Sequence, residues 1–208
     1  MKTMKKIFLL LLLCIPLCMT AKDKDDSKYL AGAVPEINGK VVFQQTFAVK
    51  GKNQQQIYDT MKAFATAMTK EEIQMKQTRF TYDDAASGTM LVRFEEWMEF
   101  KKKPLYWDRT RFNYILKIEC SDEKCHMEIS QISYYYEEDM EGNNGKTYKA
   151  EEWISDDSAL NKSKTKLLWG SAKFRRKTVD RVSEIFNNAR NAFEAPVKQP
   201  QATELLPN

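Results

Sequence analysis

The stretch Tyr106–Glu138, YWDRTRFNYILKIECSDEKCHMEISQISYYYEE, decides the fold. Apolar and polar residues alternate along its first half, which is the pattern of an antiparallel strand with one buried face. The polar residues Ser121–Lys124 interrupt the alternation, and a second strand-like run begins at Cys125. We therefore predict one long β-hairpin, around which the rest of the domain packs.

Two cysteines fix the register of this hairpin, because Cys120 and Cys125 face each other across the four-residue loop. Apolar residues then pair on one face and polar or charged residues on the other: Ile118 with Met127, Leu116 with Ile129, Lys117 with Glu128, and Glu119 with His126. The agreement of both faces supports this register.

The same register predicts two arginine–tyrosine pairs on the polar face: Arg111 with Tyr134, and Arg109 with Tyr136. One conflict remains, because Ile132 falls on the polar face. A β-bulge within residues 130–133 resolves the conflict, since one extra residue reverses the alternation after it.

The first 21 residues have the features of a secretory signal peptide. Three lysines precede the apolar run Ile7–Met19, which is too short to span a bilayer, and the small residue Ala21 precedes a charged stretch. We predict cleavage after Ala21 and export of the remaining chain. Lipid attachment at Cys18 or Cys14 is the alternative, although each follows a leucine where a small residue is expected.

Export changes the meaning of the net charge. The full chain carries 33 Lys+Arg against 29 Asp+Glu, but residues 1–21 hold three of the lysines and no acid, so the exported chain has a net charge of +1. This balance gives no reason to expect nucleic acid as a partner. Membrane association is expected only if Cys18 is lipidated.

The exported chain keeps two cysteines, Cys120 and Cys125. In an oxidising compartment, two cysteines that face each other across a hairpin predict a disulfide. A metal site that adds His126 is not expected, because adjacent strand residues point to opposite faces. We therefore predict neither a metal nor another cofactor.

The rest of the chain predicts a simple order of elements. Alternation predicts strands at Lys40–Val49, Met75–Asp83 and Thr89–Lys101, and helical spacing predicts helices at Asn53–Thr69 and Lys173–Glu194. Asn53 and Gln56 have the spacing of a capping box. The β-α-β4-α order packs most simply as one curved antiparallel sheet with helices on one face, an α+β fold.

We predict one domain between flexible ends. Residues 22–28 are expected to be a flexible leader, residues 29–194 a single domain, and residues 195–208 a disordered tail with three of the six prolines. The polar segment Asp139–Lys146, which contains two glycines, is predicted to be a mobile loop.

Three blocks of this sequence resemble a known family. AGAVPEINGKVVF (31–43), WDRTRFNYILKIEC (107–120) and AEEWISDDSALNK with KFRRKTVDRVSEIF (150–162 and 173–186) are similar to an exported Bacteroidota family of unknown function. The resemblance covers about residues 29–193 and implies a TBP-like fold and the periplasm or cell envelope of a Gram-negative bacterium. It implies no activity, and the fold likeness to a DNA-binding protein does not imply DNA binding.

The polar sheet face is the predicted binding site. It interleaves aromatic residues with arginine, as recognition surfaces do: Arg93, Trp97, Trp107, Arg109, Arg111, Tyr134 and Tyr136. The alternative is that residues 147–171 or the leader cover this face, with Trp153 and Trp169 packing on it. Export argues against a nucleic-acid partner, so a protein or small-molecule ligand is expected.

These observations favour a non-enzymatic binding or interaction module of the cell envelope, which uses this sheet face or the groove between the sheet and the long C-terminal helix. The chain has one histidine, no nucleophile-elbow serine and no glycine-rich phosphate loop. The alternative is a hydrolase acting on saccharide or envelope fragments, in which Glu95 and Glu99 flank Trp97 as paired carboxylates.

Overall fold

The computed structural model describes residues 25–137 and 144–194. The predicted signal peptide, the predicted tail and most of the predicted loop at Asp139–Lys146 lie outside these residues. The strands are β1 (Glu36–Ile37), β2 (Lys40–Val41), β3 (Phe43–Ala48), β4 (Arg79–Asp84), β5 (Thr89–Lys103), β6 (Tyr106–Ser121), β7 (Lys124–Tyr136) and β8 (Lys146–Lys149). The helices are α1 (Gln54–Met68), α2 (Ala150–Trp153), α3 (Asp156–Ala159) and α4 (Trp169–Asn191), and Ser27–Tyr29 form a 3-10 turn.

One antiparallel sheet carries the fold. Its strands follow the order β3-β7-β6-β5-β4, and β8 pairs with the second half of β7 on the edge that β3 occupies along the first half. The inward side chains of β5, β6 and β7 form a single buried cluster with those of α1 and α4. The predicted α+β architecture, with helices on one face of the sheet, is confirmed.

The predicted hairpin register is also confirmed. Cys120 lies opposite Cys125, and all four flanking pairs predicted from the sequence are present. The predicted bulge falls where Asn113 pairs with Ser133 but Ile115 pairs with Ser130. The extra residue, Gln131, has a φ of +54°.

The bulge places two tyrosines on a different face of the sheet from the one predicted. Because the alternation reverses after Gln131, Ile132 and Tyr134 turn inward and are buried, and Tyr135 takes the outer position opposite Arg111. The predicted placement of Tyr134 and Tyr136 on the outer face is therefore wrong. The sequence indicated the bulge, but the predicted arginine–tyrosine pairs used the register that precedes it.

Helix α1 starts where the capping box predicts. The Asn53 side chain accepts a hydrogen bond from the backbone N–H of Gln56, and the Gln56 side chain accepts one from the N–H of Asn53. Ile57, Met61 and Ala65 are fully buried against the sheet. Two turns of apolar contact and a closed cap define this helix.

Two differences from the predicted elements have local causes. Residues 75–78 do not pair in the sheet as predicted; the Met75 N–H and the Thr78 hydroxyl instead bond the carbonyl oxygen of Glu95 at 2.8 and 3.0 Å. Helix α4 begins at Trp169, four residues before the predicted start. The apolar pattern did not reveal this first turn, because Trp169 and Gly170 are exposed and add nothing to it.

A buried arginine holds the N-terminal segment to α4. The guanidinium of Arg175 is inaccessible and donates to the carbonyl oxygens of Tyr29, Leu30 and Ile154 at 2.6–2.7 Å, and to Asp156 at 2.6 Å. Contacts to α4 begin even earlier in the chain, since Arg176 pairs with Asp26. Packing therefore starts inside the predicted leader.

A second buried ion pair joins α4 to the sheet. Glu96 lies at an inward position of β5 with 2% exposure, and Arg181 reaches it with Nε at 2.9 Å and Nη2 at 3.0 Å. Gln74 and the Tyr114 hydroxyl also donate to the same carboxylate. The sequence prediction did not include this pair, although a glutamate in the apolar phase of β5 was a signal for it.

The two cysteines differ from the prediction in their covalent state. Cys120 and Cys125 are buried, free thiols, so the predicted disulfide is absent from this structure. Interaction between the two thiols lowers the pKa of Cys120 and, together with burial, raises that of Cys125. Their facing positions agree with the predicted register.

We predict that Arg181→Met lowers the free energy of unfolding by about 3–5 kcal/mol, because it leaves the Glu96 carboxylate buried without its cation. The double variant Glu96→Met/Arg181→Met should cost less than this single change. Denaturant titration of the wild type, the two single variants and the double variant provides the measurement. The matched control is Arg190→Met, which changes an exposed arginine on the same helix. Additive costs at the two positions would contradict a buried pair.

Candidate functional site

A cleft of about 610 Å³ opens between one end of the sheet and the first turn of α4. It lies at the end of β6 that is remote from the cysteine pair. Its lining comes from β6, β7, β8, α2 and α4: Tyr106, Asp108, Tyr136, Glu137, Tyr148, Trp153, Leu167, Trp169, Gly170, Ala172, Lys173, Phe174 and Arg176. Six of these thirteen residues are aromatic, so the walls offer flat apolar surface.

The aromatic walls form a connected group. Tyr148 and Trp153 lie with ring centroids 4.1 Å apart, and Trp153 meets Phe174 edge to face at 5.6 Å. Tyr136 meets the same Phe174 ring edge to face at 5.2 Å. These four rings are therefore held in place by one another, which fixes the inner wall of the cleft before any ligand arrives.

A polar group lies within this aromatic frame. The Lys173 ammonium is 2.8 and 2.9 Å from the two oxygens of Asp108 and donates to the Tyr136 hydroxyl at 2.6 Å. Tyr136 in turn donates to Asp108 at 2.9 Å. Burial and the bond to Asp108 raise the pKa of Tyr136, since both favour the neutral hydroxyl.

Local irregularities in two strands assemble this group. The bulge at Gln131 turns Tyr136 inward, and a register shift between Glu99 and Lys101 in β5 brings Asp108 opposite Lys101. Lys173 comes from the second turn of α4. The sequence prediction missed Asp108 and Lys173, although a carboxylate in the apolar phase of β6 was a usable signal.

The outer sheet face carries most of the predicted binding residues. The guanidinium carbon of Arg109 lies 3.6 Å from the centroid of Trp97 and 4.1 Å from that of Trp107, so the cation is held between two indoles. Lys102 covers Trp107 at 4.1 Å. Arg111 lies 5.3 Å from Tyr135, which replaces the predicted tyrosines on this face.

The three remaining predicted residues lie outside this cluster of arginine and tryptophan side chains. Arg93 is exposed on the outer face, opposite Ile115 and Arg79. Tyr134 is fully buried and shares a 2.7 Å hydrogen bond with Thr178 of α4. Tyr136 belongs to the cleft. The structure thus brings together four of the seven predicted residues: Trp97, Trp107, Arg109 and Arg111.

The proposed covering of the outer face by two tryptophans is not seen. Trp153 packs against Phe174 and Tyr148 on the helical side, and Trp169 is 96% exposed at the start of α4. Trp107 remains 41% exposed. Neither tryptophan therefore shields the arginine–aromatic face, which consists of Trp97, Trp107, Arg109 and Arg111.

One of the two carboxylates of the hydrolase alternative contacts an arginine. Glu95 has only 7% exposure, and its Oε1 lies 3.3 Å from Arg111. Glu99 is exposed and lies opposite Arg109 in the strand register. His126 contacts Thr46 at 2.7 Å and Glu119 is its cross-strand neighbour, as predicted.

The described part of the chain offers no cluster of histidine, cysteine or acidic side chains with the geometry of a metal site. Within residues 25–137 and 144–194, none of the helices has the length and apolarity needed to cross a bilayer.

Comparison with known proteins identifies the family. A model for a domain of unknown function, DUF4468, with TBP-like fold matches residues 43–135. The crystal structure of a DUF4468 family protein from Bacteroides ovatus ATCC 8483 is 44% identical, with a TM-score of 0.76, over 85% of this chain and 99% of that chain. A TBP-like protein from Parabacteroides distasonis ATCC 8503 is 23% identical, with a TM-score of 0.64, over 78% and 97% of the two chains. No curated protein matches at a significant level.

These matches confirm the expected resemblance and the fold. The matched range begins with β3 and ends one residue before the end of β7, so it contains the long hairpin and its bulge. The B. ovatus likeness extends over almost the whole of the related chain. This chain belongs to the DUF4468 family of proteins with a TBP-like fold.

Proposed function

We propose that this protein is an exported, non-enzymatic binding module and that the cleft beside α4 holds a small-molecule ligand. The observation that carries the proposal is the cleft itself. Its volume of about 610 Å³ falls in the range of small-molecule sites, and its lining combines aromatic walls with a few convergent polar groups.

The lining favours a ligand that is flat, partly apolar and rich in hydrogen-bonding groups. Tyr148, Trp153 and Trp169 offer ring faces on which such a ligand stacks. The Asp108 carboxylate accepts hydrogen bonds and the Lys173 ammonium donates them. Because these two charges already neutralise each other, a neutral ligand suits the cleft better than a charged one.

A binding role explains the site better than hydrolysis does. Acid–base catalysis needs a carboxylate or imidazole that is placed to exchange a proton with the substrate. Asp108 is committed to Lys173 and Tyr136, and Glu95 is buried beside Arg111. These carboxylates are fixed as structural acceptors, which suits recognition rather than turnover.

We expect Trp169→Ala to weaken ligand binding about 10-fold, since the loss of one stacking ring is worth about 1.4 kcal/mol. Trp169 is almost fully exposed, so its removal should leave the melting temperature unchanged. Gly170→Leu should also weaken binding, because a side chain there adds bulk at the cleft and its Cβ meets no neighbouring atom.

The measurement is native mass spectrometry of protein purified from the periplasm, before and after denaturation. Tyr82→Ala, which removes an exposed aromatic ring from the edge strand β4, is the matched control. A bound species that persists unchanged in both cleft variants would place the ligand elsewhere. A native spectrum in which the wild-type chain carries no ligand would contradict small-molecule carriage.

The outer arginine–aromatic face supports a second role, as a surface for a protein partner. Stacking on two indoles holds Arg109 in one orientation, so little side-chain entropy is lost when a partner binds. Arginine and tryptophan are also the residues that most often dominate interface energies.

We predict that Arg109→Glu reduces crosslinking to an envelope partner at least about 10-fold, the effect of losing an interface anchor. Arg111 is less suitable for this test, because its reversal would place a second carboxylate beside buried Glu95 and unfold the face. Arg190→Glu at the exposed end of α4 is the control. Equal crosslinking of all three proteins would rule out this face.

The proposal of export includes the disulfide between Cys120 and Cys125. The Cys120 N–H donates to Gly88 on the opposite side of β6, so the two cysteines form a pair without mutual backbone hydrogen bonds. Side chains approach most closely in such pairs, and their Cα separation of about 4.5 Å lies within the disulfide range. Oxidation therefore needs little movement of either strand.

We expect the mature chain to begin at Lys22 and to be two hydrogens lighter than its dithiol form. Because the loop is short, reduction should lower the free energy of unfolding by about 2 kcal/mol. Intact mass with and without reductant, followed by denaturation of both forms, gives the measurement. An exported chain that retains both thiol hydrogens would end the disulfide proposal, and one that retains residues 1–21 would end that of signal cleavage.

A further inference from the structure

Exposed apolar side chains gather at the rim of the cleft. Of the seven large hydrophobic residues that are exposed within the described ranges, five belong to two short segments: Leu105, Tyr106 and Trp107 at the β5–β6 turn, and Leu168 and Trp169 at the start of α4. Tyr106 and Trp169 line the same cleft, so the two segments border one opening. An apolar cluster of this size on a monomer marks an interaction surface.

Both leucines occupy positions that the local backbone disfavours. Leu105 has a φ of +66°, a conformation that suits glycine or asparagine, and its side chain is completely exposed. Leu168 is the N-cap of α4 and provides no side-chain acceptor for the helix. Leu105 gains nothing from burial, and Leu168 keeps 44% of its surface exposed, so stability of the fold gives little reason for leucine at either position.

Lysines accompany the apolar rim. Lys101, Lys102 and Lys103 directly precede the β5–β6 turn and are exposed. Exposed leucine together with tryptophan, tyrosine and lysine is the composition of segments that lie at a membrane–water interface, where the rings sit among headgroups and the ammonium groups pair with phosphate. The net charge of the whole chain does not reveal this local cluster.

We propose that this rim docks on the surface of a bilayer that contains anionic lipid. Leu105 and Leu168 enter the acyl boundary, the rim aromatics lie at headgroup depth, and the three lysines contact the charged surface. Asp108, which lines the cleft behind the rim, is neutralised by Lys173. Docking of this kind is peripheral and reversible.

The two leucines of the docking surface can be tested separately from the proposed ligand site, although Tyr106 and Trp169 belong to both. Leu105 and Leu168 do not line the cleft, and neither belongs to the arginine–aromatic face. The variant Leu105→Asn/Leu168→Ser puts asparagine at a positive φ and serine at an N-cap, both of which the backbone favours. We therefore expect an unchanged or higher melting temperature together with weaker membrane binding.

The test is co-sedimentation with vesicles of phosphatidylcholine alone or with 30% phosphatidylglycerol, using exported protein whose mass shows no acyl group. Wild-type protein should bind the anionic vesicles, and salt should weaken the binding. Leu105→Asn/Leu168→Ser should bind at least about 10-fold more weakly. Lys101→Gln/Lys103→Gln should lower the affinity about 25-fold, since each lysine near such a surface is worth about five-fold.

The matched control is Ile37→Ser/Tyr82→Ser, which removes the two exposed hydrophobic residues that lie away from the rim. If both rim variants bind anionic vesicles as well as the wild type and this control do, the proposal is overturned. It is also overturned if wild-type protein does not bind anionic vesicles. Loss of a protein crosslink, rather than of vesicle binding, in Leu105→Asn/Leu168→Ser would overturn it as well. Ligand retention in the cleft is read separately by native mass spectrometry.

Discussion

The fold depends on the register of one hairpin and on the single residue that shifts it. Cross-strand pairing from Cys120–Cys125 back to Ile115 fixes which face of the sheet is buried. Gln131 then adds one residue to β7, and every side chain beyond it changes face. Tyr134 thereby reaches Thr178, and Tyr136 reaches Asp108 and Lys173. The core and the cleft are both consequences of this bulge.

Much of the architecture could be predicted because it follows from local patterns. Alternation defined the hairpin, and the Asn53–Gln56 spacing defined the start of α1. Strand β8 and the first turn of α4 were harder to predict, since each is short or exposed and shows no periodic spacing of apolar residues. The sequence predicted the groove between the sheet and the long helix as an alternative binding site, but not the residues that line it. The polar group of the cleft joins Asp108, Tyr136 and Lys173 from three separate elements, and only the packing of α4 brings them together.

Buried ion pairs explain why α4 sits where it does. Arg175 satisfies three backbone carbonyl oxygens of neighbouring segments, and Arg181 neutralises Glu96 within the sheet. An apolar helix face alone would tolerate sliding or rotation, whereas these charges lose their partners in any other arrangement. The same two contacts therefore set the position of Lys173, which lies one turn or less from Arg175, and with it the geometry of the cleft.

The two ends of the long hairpin strand β6 have opposite characters. At the cysteine end, the turn residues Asp122 and Glu123 accept hydrogen bonds from the backbone N–H groups of Gln54 and Gly51, so polar atoms there serve the fold. At the other end, Leu105 projects into solvent from a backbone conformation that leucine disfavours. The side chains at the cysteine end contribute to folding, and no binding partner is required to explain them. The other end exposes apolar groups in a backbone conformation that they disfavour, and a binding partner would explain this. Binding is therefore expected at the β5–β6 end, where the cleft and its rim lie together.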